Sequence, residues 1–224
     1  MEITWLGQAG LLIETGGMKI LVDPYLSDSV EKINPKNYRR HPVDRRFFEF
    51  VPDMIVCTHD HLDHYDPETL DHYLLGTEGV VFLGPNSCFQ KAASYRQNHN
   101  FVKFDRHGQW TQNGVLFKAV RADHSDQYAI GVLINDGQKT VYITGDTLYN
   151  TEIFEDIDEP VDVLILPING VGNNMNMTDA ARFARKIAAK QVMPVHWGMF
   201  DELDPTRFDA PGRIIPEIYQ KITF

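Results

Sequence analysis

Cysteine is nearly absent from this chain, with Cys57 and Cys88 the two examples in 224 residues. Two thiols rule out a disulfide-stapled scaffold and a four-cysteine structural zinc site, so both are expected to be reduced packing residues. No apolar run approaches the roughly 18 residues of a membrane-spanning helix. Cationic excess is also missing: 21 lysines and arginines face 31 aspartates and glutamates, for a net charge of −10. That balance opposes broad contact with phosphate backbones or anionic lipid, so neither a nucleic-acid nor a membrane partner is expected. The chain opens on Met1-Glu2-Ile3-Thr4-Trp5, with no charged segment leading into an apolar one. A cytoplasmic location and a small-molecule partner are therefore the expectations.

What is present is 43% hydrophobic residues, ample for one continuous core. Short apolar segments rich in branched side chains predict strands over Met1–Leu6, Leu11–Glu14, Lys19–Val22, Met54–Thr58 and Val80–Leu83, with "ETGGMK" as a hairpin turn. Asp66-Pro67-Glu68 predicts a helix to about Leu75, with an N-cap aspartate and a first-turn proline. A second helix is expected from Asn86 or Ser87 to about Asn98. Strand character returns over Phe101–Phe104, Val115–Arg121, Ala129–Ile134, Thr140–Thr144 and Val161–Leu166. A helix capped at Thr178-Asp179 runs to about Ala189, and Gln191–Pro194 leads into a last strand. No linker rich in proline, glycine or serine interrupts this order, so a single α/β domain over 1–224 is expected, its two layered halves meeting near residue 115. Glu31 to Phe50, weakly periodic and arginine-rich, reads as an inserted lid or loop.

The densest chemistry is "THDHLDHYD", Thr58 to Asp66, with three histidines and three aspartates in nine residues just past an apolar strand. His59 and His61 at i and i+2 point to one side of an extended chain, and Asp63 and His64 follow. Imidazole and carboxylate donors with almost no cysteine suit an open, catalytic site for a divalent ion. Further donors are expected at strand ends, where α/β sheets collect ligand-binding groups. His124 in "RADHSD", Asp146 in "TGDT" and His196 in "PVHWG" each follow a predicted strand.

These residues, in this order, resemble the metallo-β-lactamase superfamily, and "ITWLGQAGLLIETGGMKILVDPYLS" resembles its first motif, with Asp23 as the aspartate behind the ligands. "NYRRHPVDRRFF", "THDHLDHYDPETL" and "PVHWGMFDE" are most similar to the branch of L-ascorbate-6-phosphate lactonase-like proteins. The resemblance implies an α/β, four-layer αββα sandwich with two divalent ions, zinc or manganese, on one edge. By position His59, His61 and His124 would hold one ion, Asp63, His64 and His196 the other, and Asp146 would bridge them. It further implies hydrolysis of a small, anionic lactone or ester, of the sugar-acid lactone phosphate type, by attack of metal-activated hydroxide, with Asp63 shuttling the proton. A phosphodiesterase of the same superfamily and a non-catalytic metal-dependent sensor are the alternatives.

For substrate recognition the sequence offers Arg39, Arg40, Arg45 and Arg46, as either a solvated face or an anion clamp. Asn173 and Asn174, in the glycine- and asparagine-rich stretch Ile168 to Asp179, offer a second surface. His41, His72, His99 and His107 lack metal-like spacing and are not expected to be ligands. A homo-oligomer is compatible with all of this.

Overall fold

The computed structural model describes residues 1–95 and 98–224. Its first half holds β1 (Glu2–Gly7), β2 (Gly10–Thr15), β3 (Met18–Val22), α1 (Ser29–Ile33), β4 (Met54–Val56), α2 (Pro67–Gly76), β5 (Val81–Gly84), α3 (Asn86–Ala92) and β6 (Asn100–Lys103). The second holds β7 (Gln109–Gln112), β8 (Val115–Arg121), β9 (Ile130–Asn135), β10 (Thr140–Ile143), β11 (Val163–Pro167), α4 (Met177–Ile187), β12 (Gln191–Val195) and β13 (Lys221–Thr223). They form two mixed sheets, in the orders β13-β1-β2-β3-β4-β5-β6 and β12-β11-β10-β9-β8-β7.

Period-two alternation decides which side of each sheet a residue serves. Met54 and Val56 of β4 face the core between the sheets, together with Val163 and Ile165 of β11. Their neighbour Ile55 turns outward to Leu70, Tyr73 and Leu74 of α2 and Cys88 of α3. Leu164 and Leu166 likewise turn outward to Phe183 and Ala184 of α4. The result is four layers, αββα, and the buried strands read as near-continuous apolar runs because both faces are covered. Between β2 and β3, Gly16 and Gly17 both take positive φ, +58° and +73°. A two-residue hairpin with that hand demands it, which is why the turn carries "GG".

Several boundaries differ from the sequence expectations. The sheets change over between β6 and β7, at residues 104–108 rather than near 115, because β7 pairs antiparallel with β8. Neither β7 nor β13 was expected: "QWTQ" and "KIT" are short and partly exposed, with too few apolar positions to show a period. The helix begun at Asn86 stops at Ala92, and of its expected remainder Arg96 and Gln97 lie outside the described residues. The cap of α4 is Asn176, whose side chain accepts from the backbone N–H of Thr178 and Asp179, so Thr178 and Asp179 are first-turn residues instead. Segment 31–50 is pinned through Phe47, which is buried in the cluster around α2 and whose carbonyl accepts from the Tyr73 hydroxyl.

Candidate metal centre

Strands β8, β10, β11 and β12 all run in one direction, with β9 opposing, so their C-terminal ends share one edge. His124 lies beyond β8, Asp146 beyond β10 and His196 beyond β12. From the other sheet β4 delivers Thr58 to His64 to the same edge. Asp23, 1% exposed, fixes that loop: Thr58 donates its N–H to Oδ1 at 2.7 Å and its hydroxyl to Oδ2 at 2.6 Å. His64 Nδ1 sits 2.8 Å from the same Oδ2, so the imidazole is turned with Nε2 toward the site. A tight turn then brings His61 close, with His64 and Tyr65 both donating backbone N–H to its carbonyl.

Three sets of donors result, each with its ligand atoms within 4.8 Å of one another: His59, His61 and His124; His59, His64 and Asp146; Asp63, His64 and His196. The rings of His59 and His64 are 4.0 Å apart at their centroids, and those of His59 and His124 4.4 Å. Buried imidazole Nε2 atoms of His59 and His64, and Oδ1 of Asp146, have no hydrogen-bond partner. His64 Nε2 lies 3.3 Å from that Oδ1 yet makes no hydrogen bond to it. Orphaned donors and acceptors at such density are costly unless something occupies the space between them. Mixed imidazole and carboxylate donors with orphaned lone pairs fit a divalent cation.

Without a cation the groups polarise one another. Burial lowers the proton affinity of His59, and the neighbouring His64 lowers it further. Burial also opposes charge on His196, but Asp146 and Asp63 outweigh it and push its pKa up to about 9. His64 is raised likewise, against its burial, by Asp146, Asp23 and Asp63. Asp146 and Asp63 are held below the usual carboxylate range despite burial, by His196 and His64. Protons on His64 and His196 thus do part of what a cation would do, and an arriving ion must displace them.

Neutral amides that also line the cavity hold the same donors. Gln8 Nε2 lies 2.8 Å from Asp63 Oδ2, and Asn174 Nδ2 donates to Asp146 Oδ2 at 2.8 Å. The Asn169 amide is 2.9 Å from His196 Nδ1. The contacting atom is Nδ2, while Asn169 Oδ1 is buried without a partner; turning the amide over puts Oδ1 against Nδ1, and His196 then carries its proton on Nδ1 and presents Nε2 to the site. Gln8 and Asn169 were not expected from the sequence. Asn169 follows β11 as Asp146 follows β10, so the strand-end rule would have found it had amides been admitted. Gln8, Asp23 and His196 share a backbone feature, with φ of +51°, +45° and +59°. Left-handed non-glycine residues are uncommon, and three at one site mark where the chain is bent to aim side chains.

Above the donors lies a cavity of about 370 Å³. Asp63, Asp146, His61, His124 and His196 form its floor, with Asn37, Val171, Asn173, Asn174, Phe200 and Asp201 on its walls and rim. Asn173 and Asn174 both line the cavity. The four arginines do not, and the anion clamp is corrected here: among the described residues no arginine or lysine lines the cavity. Arg39 donates to the carbonyls of Tyr25 and His41 and to the Tyr219 hydroxyl. Arg40 lies over Tyr38 and reaches the Met199 carbonyl, Arg45 lies over Phe48, and Arg46 pairs with Asp44. Each guanidinium is held by backbone carbonyls, an aromatic ring, the Tyr219 hydroxyl or the Asp44 carboxylate, so none lines the cavity. Outside the site, His99 bridges the Val80 N–H and the Leu74 carbonyl, and His72 packs on Phe48. Cys57 and Cys88 are free and buried.

Residues 2–196 match the family described as beta-lactamase superfamily domain. The chain belongs to the metallo-β-lactamase superfamily. It is 31% identical over 210 residues to a UPF0173 protein of Pyrococcus furiosus, covering 93% of this chain and 89% of that one. A UPF0173 metal-dependent hydrolase of Carboxydothermus hydrogenoformans is 27% identical over 230 residues, 96% of this chain and 93% of the relative. Among solved structures, the metallo-β-lactamase fold protein YhfI of Bacillus subtilis superposes with a TM-score of 0.73 at 22% identity, over 99% of this chain and 98% of that one. The resemblance to the superfamily thus stands, whereas nothing in these relatives singles out the ascorbate-6-phosphate lactonase branch.

Proposed function

We propose that this metal-dependent hydrolase opens a small, uncharged lactone or ester, using two divalent ions, zinc or manganese. What carries the reading is the set of orphaned atoms, His59 Nε2, His64 Nε2 and Asp146 Oδ1, gathered under a cavity of substrate size. In this reading His59, His61 and His124 hold one ion, Asp63, His64 and His196 the other, and Asp146 faces both. When bound, the ions supply Lewis acidity, lowering the pKa of water and polarising the scissile carbonyl.

The chain's own groups do the rest. In this reading Asp63, whose side chain is 19% exposed, takes a proton from water and returns it to the leaving alkoxide. Asn37 and Asn173 offer neutral donors and acceptors to a substrate's hydroxyl and carbonyl groups, Asn174 being engaged with Asp146, while Val171 and Phe200 cover its apolar surface. The cavity favours a neutral substrate over the anionic one expected from the arginine cluster, because no lysine or arginine lines it to receive an anionic group away from the metal edge. The carboxylates of Asp63, Asp146 and Asp201 do not themselves decide this, since two bound divalent cations would offset them.

The test is a substrate panel on protein loaded separately with zinc and manganese: an uncharged lactone, its phosphate-bearing counterpart and a phosphodiester of similar size. Turnover of the uncharged lactone that needs metal and is lost to chelator is expected. Higher kcat/KM on the phosphate-bearing lactone would overturn the neutral assignment, and higher kcat/KM on the phosphodiester would overturn the acyl chemistry. Saturation at one ion per chain would reduce the centre to a mononuclear one.

A further inference from the structure

Gln8 sits where β1 turns into β2, far in sequence from every proposed ligand, and yet its side chain touches two of them. It is 2% exposed. Its backbone carbonyl accepts from Trp5 Nε1 at 2.9 Å and from the His196 N–H at 2.8 Å, so the residue is clamped in place before its side chain is considered. The left-handed φ of +51° lets the side chain leave the hairpin toward the metal edge.

Both hydrogens of the amide nitrogen have a destination. Nε2 is 2.8 Å from Asp63 Oδ2, a good hydrogen bond. It is also 3.2 Å from His196 Nδ1 and 3.1 Å from His196 Nε2. A nitrogen nearly equidistant from both ring nitrogens lies over the ring face, because in the ring plane it would overlap Cε1. The second contact is therefore packing of the amide on the imidazole, and it leaves both His196 nitrogens free for other partners. Asp63 Oδ2 is also the oxygen that faces His196 Nε2, at 3.4 Å, and His64 Nε2, at 3.9 Å.

We infer that Gln8 is a positioning residue that divides the labour of Asp63 between its two oxygens. This rests on the proposed metal assignment. By donating to Oδ2, Gln8 fixes the carboxylate rotamer so that Oδ2 faces the ligand set and Oδ1 is left for the proton. A carboxylate has free rotation about its last bond and no internal means of keeping the two roles apart. A neutral donor is the right device, since lysine or arginine here would compete with the cation and a further carboxylate would repel Asp63.

The experiment uses three variants of the full chain and two readouts. Gln8→Met keeps the bulk and removes the donor, and Gln8→Glu keeps the length while making the group an acceptor. Gln8→Asn keeps the amide and suits the left-handed backbone but is one methylene too short to reach Asp63. Cobalt(II) alone is the probe, its binding and visible spectrum followed by titration, and kcat and KM are then measured on the zinc form. All three variants should bind the ion contacting Asp63 about 10- to 100-fold more weakly and show a changed cobalt spectrum, as loss of a hydrogen bond behind a ligand does. Once metal is saturating, kcat should fall with KM little changed. If Gln8 merely shapes the turn, Asn should behave as wild type in both readouts, which would overturn the inference. So would normal cobalt affinity and spectrum in folded Glu and Met variants. A wild type that binds two cobalt ions but opens no lactone overturns the substrate reading alone, and the titration still decides the role of Gln8.

Discussion

At the scale of single residues, the centre depends on groups that never need to touch a substrate. Asp23 holds the Thr58 backbone, the Thr58 hydroxyl and His64 Nδ1 with two oxygens. Asp23→Asn keeps the shape but replaces one acceptor by an N–H that faces a donor. The loop must then twist or leave a buried donor unpaired, at about 1–3 kcal/mol. Because the same twist misaims His59 and His64, metal affinity should fall about 10- to 100-fold. Equilibrium dialysis against zinc measures the loss, and unchanged affinity would show that the loop holds its shape without Asp23. Asp146→Ala should do more and impair uptake of both ions, since its carboxylate belongs with His59 and His64 and also lies 3.2 Å from His196 Nε2. Elemental analysis finding two ions per chain in Asp146→Ala would overturn the bridging position proposed for it.

At the scale of elements, the end of β10 has to come very close to the loop after β4 for Asp146 to meet His59. Gly145 makes this approach, with φ +61° and a hypothetical Cβ 2.9 Å from both Thr58 Cβ and the Ile130 carbonyl oxygen. Gly137, in the turn between β9 and β10, also has positive φ, +85°, but open space around its Cβ position. Gly145→Ala should therefore lose about 1–3 kcal/mol of stability and metal as well, whereas Gly137→Ala should show left-handed strain alone. Chemical denaturation and metal analysis of the pair separate close approach from strain, and equal behaviour would refute the crowding argument. This contrast also explains what could be read from the sequence. "TGDT" is legible as a donor at a strand end only beside the His59–His64 cluster, because an aspartate there is by itself more often a cap or turn residue. Strands such as β4 and β11 were legible from their branched apolar residues, since burial on both faces imposes composition. β7 and β13 were not, because an edge strand is held by backbone hydrogen bonds that any sequence can make. The arginines misled for a related reason: a cluster along the chain says nothing about direction, and the Tyr25, His41 and Met199 carbonyls, the Tyr219 hydroxyl, the Asp44 carboxylate and the Tyr38 and Phe48 rings captured them. Gln8 escaped notice because its partners lie 55 and 188 positions away.

At the scale of the whole molecule, the metal edge joins two sheets whose ends would otherwise present buried, mutually repelling groups, so protons and metal ions must compete to stabilise the same fold. In metal-free protein the His196 pKa is about 9, against about 6.5 in an unfolded chain. A raised pKa contributes stability that is fully present below the unfolded value and is lost as pH rises through the folded one. His64 is raised in the same direction and adds to the effect. Asp63 and Asp146, held low, contribute above the unfolded carboxylate value, about 3.9, and fail only as pH falls through their lower folded values. His59 and His124 are lowered instead, so as pH falls below about 6.5 the unfolded chain takes up protons that they do not, and stability declines. The metal-free chain should therefore be most stable at about pH 6.5 and lose stability as pH rises from about 7 to 9.5. Metal reverses the upper limb: a cation displaces those protons, so its grip tightens as pH rises. The gap in melting temperature between zinc-saturated and metal-free protein should consequently widen from pH 6 to pH 8.5, accompanied by proton release on metal binding. Calorimetry in buffers of different ionisation enthalpy measures that release directly. A gap that narrows with pH, or binding that releases no protons, would mean that His64 and His196 are already neutral in the empty site and that the carboxylates around them are balanced in another way.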